Sequence, residues 1–220
     1  MGNMKIEDFK SLRDIHQYFA VNNRCKLKKS ATQPVYENNP PKSGIVFIGE
    51  APGLNEDKQG KPFVGAAGKL LDELLTNIGY TREDVYVTNV VKYRPPDNRE
   101  PLPEEKNACR VWLNAELVFL KPKVIIPLGR HALERFLPEQ QISLVHGQAF
   151  THSSGIPIFA MYHPAVALYN PTLKDTLMKD FLKLKKFLDG EMKAIDAEKI
   201  ESNDNESIQK QTLIDEILKL

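Results

Sequence analysis

The sequence predicts an α/β protein, a three-layer α/β/α sandwich whose central layer is a four-stranded parallel sheet. Four apolar runs of strand length carry this prediction, at residues 44–50, 85–91, 123–129 and 156–162. Each run is nearly continuous in apolar residues, as expected of strands that are buried on both faces. Helical stretches separate the runs, and this alternation is typical of parallel strands joined by crossover helices.

The intervening helices have recognisable starts and ends. The stretch 66–79 has helical apolar spacing and ends at Gly79, while 103–120 begins at Pro103 with acidic residues in its first turn. A shorter helix is expected after Gly129, and 171–188 has the pattern of a final amphipathic helix. Since the carboxyl ends of parallel strands meet at one edge, a site is expected along the loops that follow the strands.

Length and composition limit the possible classes of protein. The chain has 220 residues, 41% hydrophobic and 27% charged, which is typical of one globular domain. No apolar run reaches the roughly 20 residues of a membrane-spanning helix, and the N-terminal sequence lacks a signal-peptide core. With only Cys25 and Cys109, no disulfide framework is expected. We therefore predict a cytoplasmic protein without membrane contact.

Charge divides the chain into two parts. Residues 191–220 hold 8 acidic and 4 basic side chains, so with a net charge of +1 the remainder carries +5. A modestly basic body is compatible with a polyanionic partner. We predict one domain over 1–189, followed over 190–220 by a charged linker and a short amphipathic C-terminal helix.

Polar side chains gather on the loops that follow the predicted strands. The first loop places acids among glycines, together with one aromatic ring: Glu50, Glu56, Asp57 and Phe63. Asn89 lies near the end of the second run, and His163 directly follows the fourth. An aromatic face, an amide, a histidine and acids could together hold a neutral planar heterocycle attached to a phosphodiester.

The chain resembles family 4 of the uracil-DNA glycosylase superfamily in three ordered segments. They are "GEAPGLNEDKQGKPFVGAAGKLL" (49–71), "TNVVKYRPPDNREP" (88–101) and "HPAVAL" (163–168). The resemblance covers about residues 18–188. It implies the fold given above and a monofunctional enzyme that rotates uracil out of DNA, hydrolyses its glycosidic bond and leaves an abasic site for base excision repair.

The resemblance also implies roles for the pocket residues. Phe63 would stack on uracil, Asn89 would distinguish uracil from cytosine, and His163 would bind O2 and stabilise the departing base. The pocket wall would include the main chain of Glu50, Ala51 and Pro52.

An acid near the sugar would orient water and stabilise the cationic transition state. The resemblance favours Glu56 for this role, with Glu50 and Asp57 as alternatives. DNA contacts are predicted on both sides of the pocket: phosphate contacts from Lys92, Arg94 and Arg99, and a minor-groove loop from Pro164 to Leu168, with Leu168 or Tyr169 as the wedge.

Family 4 members typically hold a 4Fe–4S cluster on four cysteines, and this chain departs from that pattern. The corresponding positions are Asn22, Cys25, Tyr93 and Cys109, so two of the four ligands are replaced. An amide and a neutral phenol are not usual ligands of such clusters. We therefore expect neither this cluster nor another cofactor or metal.

Two other functions remain open: a catalytically silent DNA-damage-binding protein, and a glycosylase for deaminated purines. We expect a monomer. The tail has the spacing of a sliding-clamp-binding peptide without its aromatic anchors, at Gln211, Ile214, Ile217 and Leu218. A helix that docks on its own domain or on a second copy is the alternative interpretation.

Overall fold

A computed structural model describes residues 8–196, and within this range six strands form one mixed sheet. The strands are β1 (Ile45–Gly49), β2 (Val85–Asn89), β3 (Val124–Pro127), β4 (Gln148–Thr151), β5 (Ile158–Ala160) and β6 (Ile195–Asp196). Their order across the sheet is β2-β1-β3-β5-β4-β6. The four predicted strands are β1, β2, β3 and β5, and they are adjacent and parallel as predicted.

Two short strands extend the predicted sheet at one edge. β4 pairs antiparallel with β5, and β6 pairs parallel with β4. The prediction of four strands missed them because only two of the four residues of β4 (QAFT) are apolar and β6 has just two residues, so neither lies in a continuous apolar run. β6 lies in the segment predicted as a linker. The predicted C-terminal helix and clamp-binding residues lie outside the described residues.

Helices cover both faces of the sheet. Within residues 8–196 the α-helices are α1 (Leu12–Asn22), α2 (Leu54–Gln59), α3 (Ala66–Asn77), α4 (Pro103–Leu120), α5 (Arg130–Glu134), α6 (Ile142–Val145), α7 (Val166–Tyr169) and α8 (Leu173–Leu188). α1 and α4 lie on one face, and α3 and α8 lie on the other, which gives the predicted three layers. In the part of the chain that the structure describes, no helix combines the length and apolar character needed to cross a membrane.

Two apolar cores hold the layers together, one on each face of the sheet. Trp112 and Leu113 of α4 pack in the first core, and Leu74 of α3 packs with Phe181 of α8 in the second. Burying each such side chain stabilises the fold by roughly 1.5–3 kcal/mol. Alternate residues of β1 enter the two cores, because successive strand side chains point to opposite faces.

The same alternation decides which side chains meet at the carboxyl edge of the sheet. Gly49 and Asn89 are the last residues of β1 and β2 and are paired in register, so both face the α3 side. Thr88 precedes Asn89 and faces the α4 side, where its hydroxyl donates to Glu116 of α4.

Candidate active site

Asn89 and Phe63 meet over Gly49 at the carboxyl edge of the sheet. A Cβ added at Gly49 would lie 2.5 Å from Asn89 Oδ1 and 2.7 Å from Phe63 Cζ. Both side chains therefore occupy space that a larger residue at position 49 would fill. Glycine at this strand end allows the amide and the ring to come together.

The Asn89 amide is buried but incompletely paired. Asn89 is 2% exposed, and its Oδ1 has no hydrogen-bond partner among residues 8–196. A buried acceptor without a partner costs about 1–3 kcal/mol, so such groups are uncommon in native proteins. A ligand that donates a hydrogen bond to Oδ1 would remove this cost.

The loop between α2 and α3 holds Phe63 in a strained conformation. Its φ is 54°, a left-handed value that is uncommon outside glycine. Its carbonyl packs against Gly68 of α3, where an added Cβ would overlap the carbonyl oxygen. Arg82 holds the same loop, since its Nη2 donates to the Pro62 carbonyl at 2.6 Å and its Nη1 donates to Asp72 Oδ1 at 3.2 Å. Main-chain contacts therefore set the position of the ring.

His163 follows β5 and completes the group. Its ring stacks on Phe63, with the ring centroids 5.4 Å apart and the planes at 30°. Gly129 permits this position, because a Cβ there would lie 3.1 Å from His163 Cβ. The Ala165 N–H donates to His163 Nδ1 at 3.1 Å. With Nδ1 as an acceptor, the neutral ring carries its proton on Nε2, which becomes the donor for a ligand.

Burial makes His163 sensitive to acid. Removal from water lowers the pKa of His163 to about 4, and the charge of Glu56 opposes this shift. In the unfolded chain this pKa is near 6.5, so between these two values the unfolded state binds more protons than the folded state. Stability therefore falls as the pH drops from 6.5 towards 4.

We expect the non-titrating variant His163→Gln to lose less thermal stability than the wild type when the pH is lowered from about 7 to about 5. Thermal unfolding at matched ionic strength measures this difference. Burial also lowers the pKa values of His16 and His152, but these two residues are present in both proteins and therefore contribute equally to the loss of stability in each. Equal losses in the two proteins would contradict the prediction.

Glu56 fastens the loop that carries Phe63. Its Oε1 accepts from the Val64 N–H at 2.9 Å and from the Gly65 N–H at 2.7 Å, at the start of α3. Its charge also acts on His163, so the carboxylate lies close to the pocket. Of the three acids predicted for catalysis, Glu56 is the one that both binds the loop carrying Phe63 and acts electrostatically on His163.

Asp57 has a different place in the fold. It is 4% exposed, and its two oxygens accept from the Thr32 N–H at 2.9 Å and the Thr32 hydroxyl at 2.6 Å. These bonds anchor α2 to the preceding loop. The structure therefore shows Asp57 in an anchoring role, and a catalytic role for it stays a prediction.

Glu50 lies on the opposite side of β1 from Phe63. Its Oε1 is 3.7 Å from His131 Nε2, and burial raises the pKa of Glu50. Beyond His131 lies a cleft of about 190 Å³ on the α4 side, lined by Val90, Lys106, Asn107, Arg110, Leu113, His131, Glu134 and Arg135. This cleft is separate from the Phe63, Asn89 and His163 group.

In the loop after β1, Ala51 is half-buried and Pro52 is buried, and their contact with a ligand stays a prediction.

Comparisons with known proteins identify the family of this chain. Residues 36–186 match the family model of the uracil DNA glycosylase superfamily. The chain belongs to this superfamily. It is 42% identical to the type-4 uracil-DNA glycosylase of Sulfurisphaera tokodaii, over 80% of this chain and 84% of that protein. It is 44% identical to the type-4 enzymes of Archaeoglobus fulgidus (79% and 92%) and Saccharolobus solfataricus (75% and 81%).

In this member of the uracil-DNA glycosylase superfamily, the basic residues predicted to contact phosphate have different environments. Lys92 is 0% exposed and is paired with Glu116, so the prediction that it contacts phosphate is wrong. Arg99 is at the surface and donates to both oxygens of Glu105, at 2.7 and 2.8 Å. Arg94 is half-buried, and its Nε donates to Asn98 Oδ1 at 2.8 Å.

The segment after His163 presents apolar side chains to solvent. Leu168 and Tyr169 of α7 are 47% and 90% exposed, while Pro164 is buried. Exposed apolar side chains beside a base pocket are suited to fill the gap that a rotated base leaves in the DNA stack. The predicted wedge residues are therefore accessible, and the role itself stays a prediction.

The four positions of the family's iron–sulfur ligands do not fit a 4Fe–4S cluster in this chain. Asn22 is exposed, and its Nδ2 donates to the Tyr18 carbonyl at 2.8 Å. Tyr93 is 1% exposed, and burial raises the pKa of its phenol, which therefore stays neutral. The thiols of Cys25 and Cys109 share a hydrogen bond, which together with burial raises the pKa of Cys109. Two thiols and a neutral phenol are not the four thiolates that the cluster requires.

Tyr93 occupies this region as a core residue. Its ring packs edge-on against Trp112 at 6.1 Å, in the same core as Cys25 and Cys109. Its hydroxyl has no hydrogen-bond partner among residues 8–196. Aromatic packing therefore fills part of the volume between α1 and α4.

Sequence reasoning missed two residues that shape the site, Gly68 and Arg82. Gly68 gave a signal, because glycine inside a helix costs about 1 kcal/mol relative to alanine and therefore marks a close approach. Arg82 gave none, since the carbonyl that it binds lies 20 residues away in the sequence.

Proposed function

We propose that this chain is a monofunctional uracil-DNA glycosylase, which hydrolyses the bond between uracil and C1′ of a rotated nucleotide and leaves an abasic site. The observation that carries the proposal is the buried, unpartnered oxygen of Asn89 beside an aromatic ring and a histidine Nε2–H. The relatives that resemble this chain over most of its length are named for the same activity.

Asn89 selects the base through its amide. Its Oδ1 accepts from uracil N3–H, and its Nδ2 donates to O4. Cytosine has an acceptor at N3 and an amino group at C4, so both hydrogen bonds would be lost and buried polar groups would stay unpaired. A site built around such bonds rejects the wrong base by a factor of about 10⁴ or more.

His163 stabilises the departing base. Its Nε2–H donates to O2, where negative charge grows as the glycosidic bond breaks, so this bond is stronger in the transition state than in the ground state. Donors of this kind contribute about 3–4 kcal/mol to transition-state stabilisation. The lowered pKa of His163 keeps the ring neutral at physiological pH, and the leaving uracil takes the bonding electron pair as an anion.

Glu56 is the best-placed acid for the sugar. The two main-chain N–H donors at Val64 and Gly65 fix Oε1, and the same carboxylate can present Oε2 to water. Its negative charge stabilises the oxocarbenium-like sugar while water adds its hydroxyl to C1′, and the proton that water loses neutralises the departing uracil anion by way of solvent. The alternatives are less suited, since Asp57 is bound to Thr32 and Glu50 faces His131.

The ring spacing limits how the base can lie. A base held between Phe63 and His163 would need their planes roughly 7 Å apart, twice the ~3.5 Å contact distance. The centroids are 5.4 Å apart, so the base stacks on one face of Phe63 and meets His163 through its edge. In the DNA complex, Leu168 or Tyr169 fills the vacated stack, and the half-buried guanidinium of Arg94 approaches a phosphate.

We propose further that the chain works in the cytoplasm without an iron–sulfur cluster or another cofactor. The donor set described above and the packing of Tyr93 on Trp112 support this proposal. Free thiols at Cys25 and Cys109 suit a reducing compartment. Iron analysis and a visible absorption spectrum of the purified protein provide the test. Stoichiometric iron with a broad visible band would overturn the proposal.

An oligonucleotide assay tests the activity. Single- and double-stranded DNA containing one uracil should release free uracil and become sensitive to alkaline strand cleavage, whereas thymine- and hypoxanthine-containing DNA should stay intact. The matched control is the Asn89→Ala, His163→Ala double variant. Release no faster than in this control would contradict the proposal. Tight binding without release would favour a silent damage-binding protein, and release of hypoxanthine instead would favour a purine glycosylase.

A further inference from the structure

Lys92 and Glu116 form a buried ion pair directly behind the residue that selects the base. Both side chains are 0% exposed, and Lys92 Nζ lies 2.7 Å from Glu116 Oε2. Lysine and glutamate are almost never fully buried unless they are paired. The mechanism given above uses neither charge.

The ammonium of Lys92 has three N–H donors, and three acceptors surround it. They are Glu116 Oε2 at 2.7 Å, Thr88 Oγ1 at 2.5 Å and the main-chain carbonyl of Asn89 at 2.9 Å. The third bond connects the buried charge to the residue whose side chain lies in the pocket. The side chain of Lys92 thus donates a hydrogen bond to the main chain of Asn89, the last residue of β2, three positions earlier in the sequence.

The bond to Asn89 lies where the sheet ends. Beyond Asn89 the chain leaves β2, but the Val90 N–H still donates to the Gly49 carbonyl at 2.9 Å and the Val91 N–H to the Glu50 carbonyl at 3.1 Å. Lys92 fixes the Asn89 carbonyl from the α4 side, whereas the Asn89 amide points to the α3 side over Gly49. Lys92 therefore holds the main chain of Asn89 from the face opposite to its amide.

We propose that Lys92 is a positioning residue for Asn89, and that its pairing with Glu116 serves to hold the recognition amide at a fixed place. The inference rests on the proposed function only for the identity of the base that Asn89 meets. A displacement of about 1 Å at such a group can reduce the rate by a factor of about 10². Replacing a buried ion pair by apolar residues is often neutral for stability, so stability and positioning can be separated.

The experiment compares the wild type with Lys92→Met and with the double variant Lys92→Met, Glu116→Leu. The single variant leaves a buried charge without a partner and is expected to unfold at a lower temperature. The double variant removes both charges, and we expect its thermal midpoint to recover most of this loss. Its kcat for uracil release is nevertheless expected to stay at least tenfold below the wild type, with KM for DNA unchanged.

A second ion pair, with one buried partner, provides the control. His146 Nδ1 lies 2.6 Å from Asp180 Oδ2; Asp180 belongs to α8 and is 1% exposed, and the side chain of His146 is 25% exposed. The His146→Gln, Asp180→Asn variant should change the thermal midpoint without lowering kcat. If kcat of the Lys92 and Glu116 double variant recovers together with its midpoint, the pair is only structural and the proposal fails.

One readout does not depend on catalysis. The side-chain NH₂ signals of Asn89 in a ¹⁵N-labelled sample without DNA should shift or broaden in the double variant and stay unchanged in the His146 and Asp180 control. A wild type that releases no uracil, together with shifted Asn89 signals, would refute the proposed function and leave the positioning role intact. Unchanged Asn89 signals in the double variant would overturn the positioning role.

Discussion

Gly49→Ala is expected to lower kcat/KM for uracil release by about a hundredfold or more, because a displacement of about 1 Å at a recognition group can cost this factor. The added methyl carbon would lie 2.5 Å from Asn89 Oδ1 and 2.7 Å from Phe63 Cζ, so both side chains must move. Single-turnover cleavage of a uracil-containing duplex measures the effect.

Gly155→Ala is the control for this substitution. Nothing lies within 4 Å of a Cβ at Gly155, and its φ of +78° imposes only the strain of a left-handed alanine. We expect this variant to lose about 1–2 kcal/mol of stability and to keep its activity. Normal activity in Gly49→Ala would show that the amide and the ring do not need their present places.

Gly68→Ala is expected to reduce the free energy of unfolding by about 2 kcal/mol, although alanine is the better helix former. Helix propensity favours the change by about 1 kcal/mol. The new Cβ would overlap the Phe63 carbonyl oxygen and lie 3.0 Å from the Phe63 Cα. Overpacking against main chain costs about 3 kcal/mol or more and therefore exceeds the gain. Urea denaturation measures the net change.

Asn77→Ala tests propensity alone on the same helix. Asn77 is exposed at the end of α3, so the substitution should stabilise the protein by about 0.5 kcal/mol. A stabilising Gly68→Ala would mean that the Phe63 loop adjusts freely, and the strained loop would then be unimportant.

The fold was predictable because each main strand lies within a seven-residue run that is nearly uninterrupted in apolar residues. Composition and spacing predict β1, β2, β3 and β5. By contrast, β4 and β6 can be recognised only from their pairing with a neighbouring strand in the structure. Phe63, Asn89 and His163 were predictable as a group, since the parallel topology brings their strand ends together.

The environments of charged residues were not predictable. A lysine just after a strand is usually exposed, and only the fold reveals that Glu116, 24 residues later, lies in contact with Lys92. Asp57 is similar, because its partner Thr32 lies 25 residues earlier. Local sequence gives the chemical type of a side chain, but its burial depends on distant segments that pack against it.

The aromatic contacts of α1 have a practical consequence for shortened forms of the protein. His16 accepts from Trp112 Nε1 at 2.9 Å and stacks on Tyr36 at 4.4 Å, and Phe19 stacks on Trp112 at 5.8 Å. A truncated chain that retains only residues 36–186 would uncover an indole and its apolar neighbours to water. We expect such a fragment to be less stable than the full chain and prone to aggregation, so a shortened form should retain α1 from Leu12.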